Sequence, residues 1–337
     1  MKAISPIIAV IAVAFGLSVH AETDGLAARE EVREETRKKF NASDWEWLEK
    51  TADEYRRTKA RFPEGVWKLP VFYRALEPAS YAKNEKDWTE SFRKLDEWKA
   101  VRPNSITQRV AHACALTTYA WDARGSDWAS EVTEQGWKSF GERLTQARAI
   151  LEDAAKLPDK CPQWFYAMQV VALGQGWKRP DYDRLCKQAT SSEPTYYEYY
   201  FRRAQHLQPK WHGEPGEWLS DAERAAREDD PKEGMAVYTR VVWAQSDASR
   251  NPFDGTGVSW DKMKQGFRDI ERSYPSSGWN LNHFCRFAIL AGDRQTAREL
   301  MSRIGDKPDL AVWENRRGKF EAARRWTLSD KAPTKPR

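Results

Sequence analysis

Residues 134–158 read EQGWKSFGERLTQARAILEDAAKLP. Trp137, Phe140, Leu144, Ala147, Leu151 and Ala154 recur at steps of three and four, the period of one helix face, and Pro158 stops the run. The same pattern extends in both directions. Trp45, Leu48, Ala52, Tyr55 and Lys59 form an earlier stripe. It is introduced by Ser43-Asp44-Trp45-Glu46, a capping box with Ser43 as cap, and closed by Pro63-Glu64-Gly65. Trp88, Phe92, Leu95 and Trp98 follow, ended by Pro103; then Ile106, Val110, Ala113, Thr117 and Ala120, ended by Gly125. Downstream, helices are expected at 162–174, 181–191, 195–207, 216–228, 232–246, 259–273, 279–290, 294–304, 309–316 and 319–327. Two-residue alternation is rare. The sequence predicts an all-α fold, an array of antiparallel helical hairpins joined by short Pro- and Gly-marked turns.

Spacing near the C-terminus suggests repeats. Gly292-Asp293 followed by Ala297 matches the tetratricopeptide step from turn glycine to second-helix alanine. On that register Cys285 falls where the two helices cross and Ala288 faces inward. Gly318 and Ala323 repeat the step, and Ala204 with Pro209 matches its later part. A degenerate tetratricopeptide-like α-solenoid is therefore expected, with a continuous core and a concave groove. We divide the chain into a signal peptide at 1–21, an N-terminal helical region at 22–125, the repeat region at 126–328 and a flexible tail at 329–337. The charged stretch Arg29–Lys39, with Glu34/Lys38 and Glu35/Lys39 pairs, reads as a solvated helix face.

The chain has 337 residues with 55 Lys and Arg against 50 Asp and Glu. This small, dispersed excess draws no nucleic-acid stripe. A hydrophobic fraction of 40% with 17 Trp suffices for a large core, while a mean hydropathy of −0.82 excludes a polytopic membrane protein. Lys2, an apolar run from Ile7 to Val19 and a small residue at Ala21 make a secretory signal cleaved after Ala21. The run is shorter than the roughly 20 residues of a membrane span. A periplasmic or secreted protein without a membrane span is expected. Of the four cysteines, Cys161 and Cys186 are the only local pair. The turn near Trp177 to Pro180 offsets their thiols by roughly 10 Å, beyond disulfide reach. Free, buried thiols are expected.

From about Trp121 to Trp313 the chain resembles a bacterial family known as a domain of unknown function, whose members are often exported. The resemblance rests on Trp137 and Phe140, Cys161-Pro162, Gly176-Trp177, Glu193-Pro194 with Tyr196-Tyr197, and Pro209-Lys210-Trp211 with Gly213. Trp260, Trp279-Asn280 with Asn282, and Gly292-Asp293 complete it. It implies a tetratricopeptide-like helical build and carries no catalytic residue.

Chemistry-bearing motifs are absent: no Gly-rich phosphate loop, nucleophile elbow, His-Glu-x-x-His or Cys-x-x-Cys. His112 and His283 read as core histidines, and His206 and His212, six apart across Pro209, match no metal-ligand spacing. No catalytic residue, metal or cofactor is assigned. The aromatic load is what remains. Tyr196, Tyr197, Tyr199, Tyr200 and Phe201 point around a whole helix, so not all of them are expected in the core. Trp211 and His212 sit in a loop fixed by Pro209 and Gly213, and Trp279 is flanked by amides. The expected contact residues are thus Tyr196, Tyr197, Tyr200, Trp211, His212, Trp279, Asn280 and Asn282. The alternative for Trp211 is a plug between hairpins. Three functions fit: an exported, non-enzymatic helical-repeat protein holding a protein or peptide partner in the cell envelope; an immunity protein neutralising a periplasm-acting antibacterial toxin; and a cell-wall glycan-binding protein or hydrolase.

Overall fold

The computed structural model describes residues 24–78, 84–125, 128–229, 233–246 and 251–329; the expected signal and the tail beyond Ser329 lie outside them. Among the described residues the structure is helical, with a single isolated antiparallel bridge from Arg61 to Trp67. The order is α1 (Gly25–Asn41), α2 (Trp45–Thr58), α3 (Lys68–Ala75), α4 (Glu85–Val101), α5 (Ile106–Arg124), α6 (Glu134–Ala154), α7 (Pro162–Gly174) and α8 (Arg179–Ser192). It continues with α9 (Glu198–His206), α10 (Glu217–Glu228), α11 (Ala236–Gln245), α12 (Trp260–Ser273), α13 (Gly278–Ala291), α14 (Arg294–Ile304) and α15 (Arg317–Leu328).

Two layers organise these helices. Helices α3, α5, α7, α9 and α11 run side by side as an inner layer, which α13 continues; α6, α8, α10 and α12 each pack on the inner helices before and after them. Position in the layers explains composition. Inner helices are covered on more than one side, so α7 buries Ala167 through Leu173 without a break. Outer α6 buries one stripe, Phe140, Leu144, Ala147, Leu151 and Ala154, as its periodicity predicts.

Several local expectations change. Asp44, not Ser43, caps α2, its Oδ1 accepting from Trp47 N at 3.2 Å. Ser43 takes φ +56° to reverse the chain after α1, which moves the cap one residue on. Gly292, at φ +79°, ends α13 where expected, and Cys285, Ala288 and Ala297 are fully buried around that turn. Gly318, however, lies inside α15; a long connection with a 3-10 turn at Leu310–Trp313 replaces the helix expected at 309–316. The charged helix α1 is not wholly solvated, since Ala28, Thr36 and Phe40 are buried.

The core forms two large clusters. One runs from Phe40 to Tyr199, the other from Tyr197 to Trp326, and α9 carries side chains of both. The expected division at residue 125 falls within the closely packed α5–α6 hairpin.

The N-terminal segment closes the array on itself. The turn between α2 and α3 inserts Glu64, fully buried, against the C-terminal half. Its carboxylate pairs with Arg29 at 2.8 Å, while its carbonyl accepts from Arg240 at 2.8 Å and Asn280 at 3.1 Å. Arg61 pairs with Glu233 at 3.2 Å and donates to the Tyr274 hydroxyl. Trp67 Nε1 donates to Thr195 O at 2.8 Å, and Asp24 accepts from Ser277 Oγ and Trp279 N, each at 2.9 Å.

All four cysteines are buried and unpaired. Burial pushes the Cys285 thiol up to about 12 and raises that of Cys114 too. Both are expected to resist alkylation in native buffer for hours and to react within minutes in denaturant. Rapid native labelling of either thiol would contradict this packing.

Candidate functional site

Six of the eight sequence-predicted contact residues lie in the interior. Tyr196 packs edge-on to Trp67 with centroids 5.1 Å apart and donates to Gln163. Tyr197 lies beneath the guanidinium of Arg240, 4.9 Å from its ring, and Tyr200 donates to Pro194 O at 2.9 Å. All three are buried, as is Tyr199. The tyrosine run is therefore core after all. Tyr196 and Tyr199 belong to the first cluster and Tyr197 and Tyr200 to the second, so the four rings are buried by two cores while Glu198, Phe201, Arg202 and Gln205 keep partly exposed positions of α9. Trp279 is buried over Gly25 with Arg29 stacked 5.4 Å from its ring. Asn280 binds Glu64 O, and Asn282 accepts from Trp313 Nε1 at 2.9 Å. Tyr197, Trp279 and Asn280 meet around the inserted turn; they hold the array closed.

Trp211 and His212 are placed differently. Trp211 is half-buried, edge-on to Trp121 at 5.7 Å, and its buried Nε1 donates to no protein atom. His212 is exposed, its ring 4.6 Å from that of His206. His206 is fully buried between His212 and Tyr182, which it stacks on at 3.6 Å. Burial, reinforced by the neighbouring His212, pushes its imidazole down to about 3.

Trp211 leads to an aromatic surface that the sequence did not single out. The α5–α6 hairpin presents three indoles at its tip. Trp121 occupies the last turn of α5, Trp128 the connection and Trp137 the first turn of α6. Gly125, at φ +74°, breaks α5, and Thr133 restarts α6 by accepting from Gly136 N at 3.0 Å. Trp128 is 80% exposed and Trp137 41% exposed. Phe140 beneath them is edge-on to Trp121 at 4.9 Å and to Trp137 at 5.8 Å. Arg124 lies 5.6 Å over the Trp137 ring. Trp137 opens the core stripe of α6 yet overshoots the core, because the helix begins at the edge of the array. A tryptophan between two helical stripes, as at Trp128, was the signal available in the sequence.

Exposed indoles beside an arginine suit contact with an apolar or planar partner surface. Among the described residues no grouping of three His, Cys, Asp or Glu side chains is arranged to hold a metal ion. Comparison with protein-family models, curated proteins and solved structures finds no match to the chain.

Proposed function

We propose that the protein is an exported, non-enzymatic helical-repeat protein that binds a protein or peptide partner in the cell envelope, and that the α5–α6 tip with Trp211 is its contact surface. The observation that supports this is the exposure of Trp128 beside Trp137. Indoles in water gain most from a partner that buries them, and tryptophan is prominent among residues that dominate interfaces. The signal-like segment at 1–21 supports the envelope, and among the described residues no helix is long and apolar enough to cross a membrane.

The double variant Trp128→Ala/Trp137→Ala is expected to keep its helical circular-dichroism spectrum and to lose little stability, since exposed side chains contribute little to folding. Proteins crosslinked to the wild type in envelope preparations should be lost from the variant. Equal recovery of the same crosslinked partner by both proteins would remove this surface from consideration. Trp211→Ala should behave differently, losing about 2 kcal/mol of stability because half of its ring is already packed on Trp121.

A further inference from the structure

Away from the Trp128 tip, the ends of α1 and α3 and the first half of α4 surround a cavity of about 210 Å³, partly open to solvent. Contacts beside it hold its walls in place. Trp45, at the start of α2, stacks on Trp98 of α4 with centroids 5.5 Å apart, and Lys94 Nζ donates to Asn41 O at 2.9 Å. Arg37 and Ser91 stand one turn before Asn41 and Lys94 on their helices, and all four line the cavity.

Arg37 Nε and Ser91 Oγ are buried, yet neither has a hydrogen-bond partner among the described residues. Ser91 as a whole is only 6% exposed. A fold leaves few buried polar atoms unmet, and two at one cavity point to a ligand that brings acceptors. A carboxylate serves both a guanidinium and a hydroxyl. The same cavity also offers the opposite charge. Asp87, one turn before Ser91 on the same face of α4, and Glu77, just past the end of α3, bring carboxylates to it. Asp87 and Ser91 are thus roughly 6 Å apart along the helix. A carboxylate accepts at about four lone-pair sites, so the Asn84 amide on Asp87 and Arg74 beside Glu77 leave room for a further donor. Glu90 lines the cavity too but is clamped by Arg93 at 2.6 and 2.7 Å. Helices α1 and α3 both end here, and the negative pole of a helix C-terminus favours a cation. Phe40, Leu76 and Pro78 supply the apolar part of the lining.

We propose that this cavity binds a free α-amino acid with an aliphatic side chain, its carboxylate on Arg37 and Ser91, its ammonium on Asp87 and Glu77, and its side chain against Phe40, Leu76 and Pro78. Both charges are needed: a simple anion meets the acids, and a simple cation meets Arg37 and Lys94. Size sets the class. A cavity of about 150 Å³ holds benzene, so this one has room for roughly eight non-hydrogen atoms, the size of valine or leucine.

The experiment is calorimetric titration of the purified protein with L-valine, L-leucine, leucinamide and isocaproate. Leucine or valine should bind about tenfold or more tightly than leucinamide, which lacks the carboxylate, and isocaproate, which lacks the ammonium, since each loses charge-assisted hydrogen bonds. Ser91→Ala removes a hydroxyl without a partner, so it should unfold at or above the wild-type midpoint while weakening the amino acid about tenfold. Arg37→Gln should weaken it at least as much, and Asp87→Asn should narrow the preference for leucine over isocaproate. The proposal is overturned if neither amino acid binds at millimolar concentration, if isocaproate or leucinamide binds as tightly as leucine, or if folded Ser91→Ala and Arg37→Gln both bind like the wild type. Trp128 and Trp137 lie outside the cavity, so crosslinking to a protein partner is expected to be unchanged in these variants.

Discussion

Gly65→Ala is expected to destabilise the protein by roughly 3 kcal/mol, summing a left-handed backbone penalty and an overpacking cost. Gly65 has φ +89°, and a β-carbon there would run into the Tyr274 ring and lie 2.7 Å from Arg240 Nη2. The inserted turn cannot shift to relieve the clash without releasing Glu64. That carboxylate and Arg240 are both buried, and a buried charge separated from its partners is strongly destabilising. Gly176→Ala supplies the control: its φ is +62°, but nothing lies within 4 Å of the new β-carbon, so only the backbone cost of about 1–2 kcal/mol applies. Urea unfolding of the two variants measures the difference. In Gly65→Ala, limited proteolysis should also cut between α2 and α3 before other sites. Equal midpoints for the two variants would show that the turn is not tightly seated.

The second large effect is a loss of stability in acid. His206 and His283 are buried, and neither has a hydrogen-bond partner on either ring nitrogen. His283 lies against Trp243 and Trp279, with ring centroids 4.0 and 4.6 Å away, and burial holds its imidazole well below the usual range. Both folded-state values are depressed, so the unfolded chain takes up these protons first. Stability is complete above about pH 6.5 and falls as the pH drops towards the folded-state values. For His206, pushed down to about 3, the loss by that pH is on the order of 4 kcal/mol. The raised Glu64 carboxyl works in the opposite sense, its contribution being lost as pH rises through its folded-state value, so it offsets part of the acid loss. His206→Phe keeps a ring between Tyr182 and His212 and removes the titration. Urea unfolding at pH 7 and pH 4 should show a smaller acid loss in this variant than in the wild type. Identical losses would exclude His206 as a source.

How well each element could be read from the sequence follows from its surroundings. The stripes of α2 and α6 were legible because a helix with one buried face writes a three-and-four period into its residues. Helix α3 was not, because Leu69, Val71, Phe72, Tyr73 and Ala75 are all buried and leave no polar face to mark a period. The same cause misplaced the tyrosines: Tyr196 to Tyr200 satisfy two cores at once, and an assumption of one buried face assigns half of them to solvent. At the candidate site Trp211 was found through its bracketing Pro209 and Gly213. Trp128 was not, since its exposure depends on where the α5–α6 tip ends relative to its neighbours. The pairing of Arg61 with Glu233 spans 172 positions, and no local pattern encodes it.

That closure has a consequence for how the chain reaches its fold. In an open stack of hairpins each unit touches only its neighbours, folding can spread from any point, and terminal units can be removed one at a time. Here Asp24 is bonded to Ser277 and Trp279, 253 and 255 positions away, so the capped start of α1 finds its partners only after the last third of the chain has been delivered, although the helix itself packs on α2 and α3. Contacts of such sequence separation slow folding, because the entropy of closing the intervening loop is spent before they form. A chain emerging N-terminus first would hold the start of α1 and the residue 59–67 turn without their distant partners throughout its passage, and deletion of α13 to α15 would deprive that end of its anchor. Unfolding is therefore expected to be a single cooperative event, in contrast to the graded melting of a linear repeat protein.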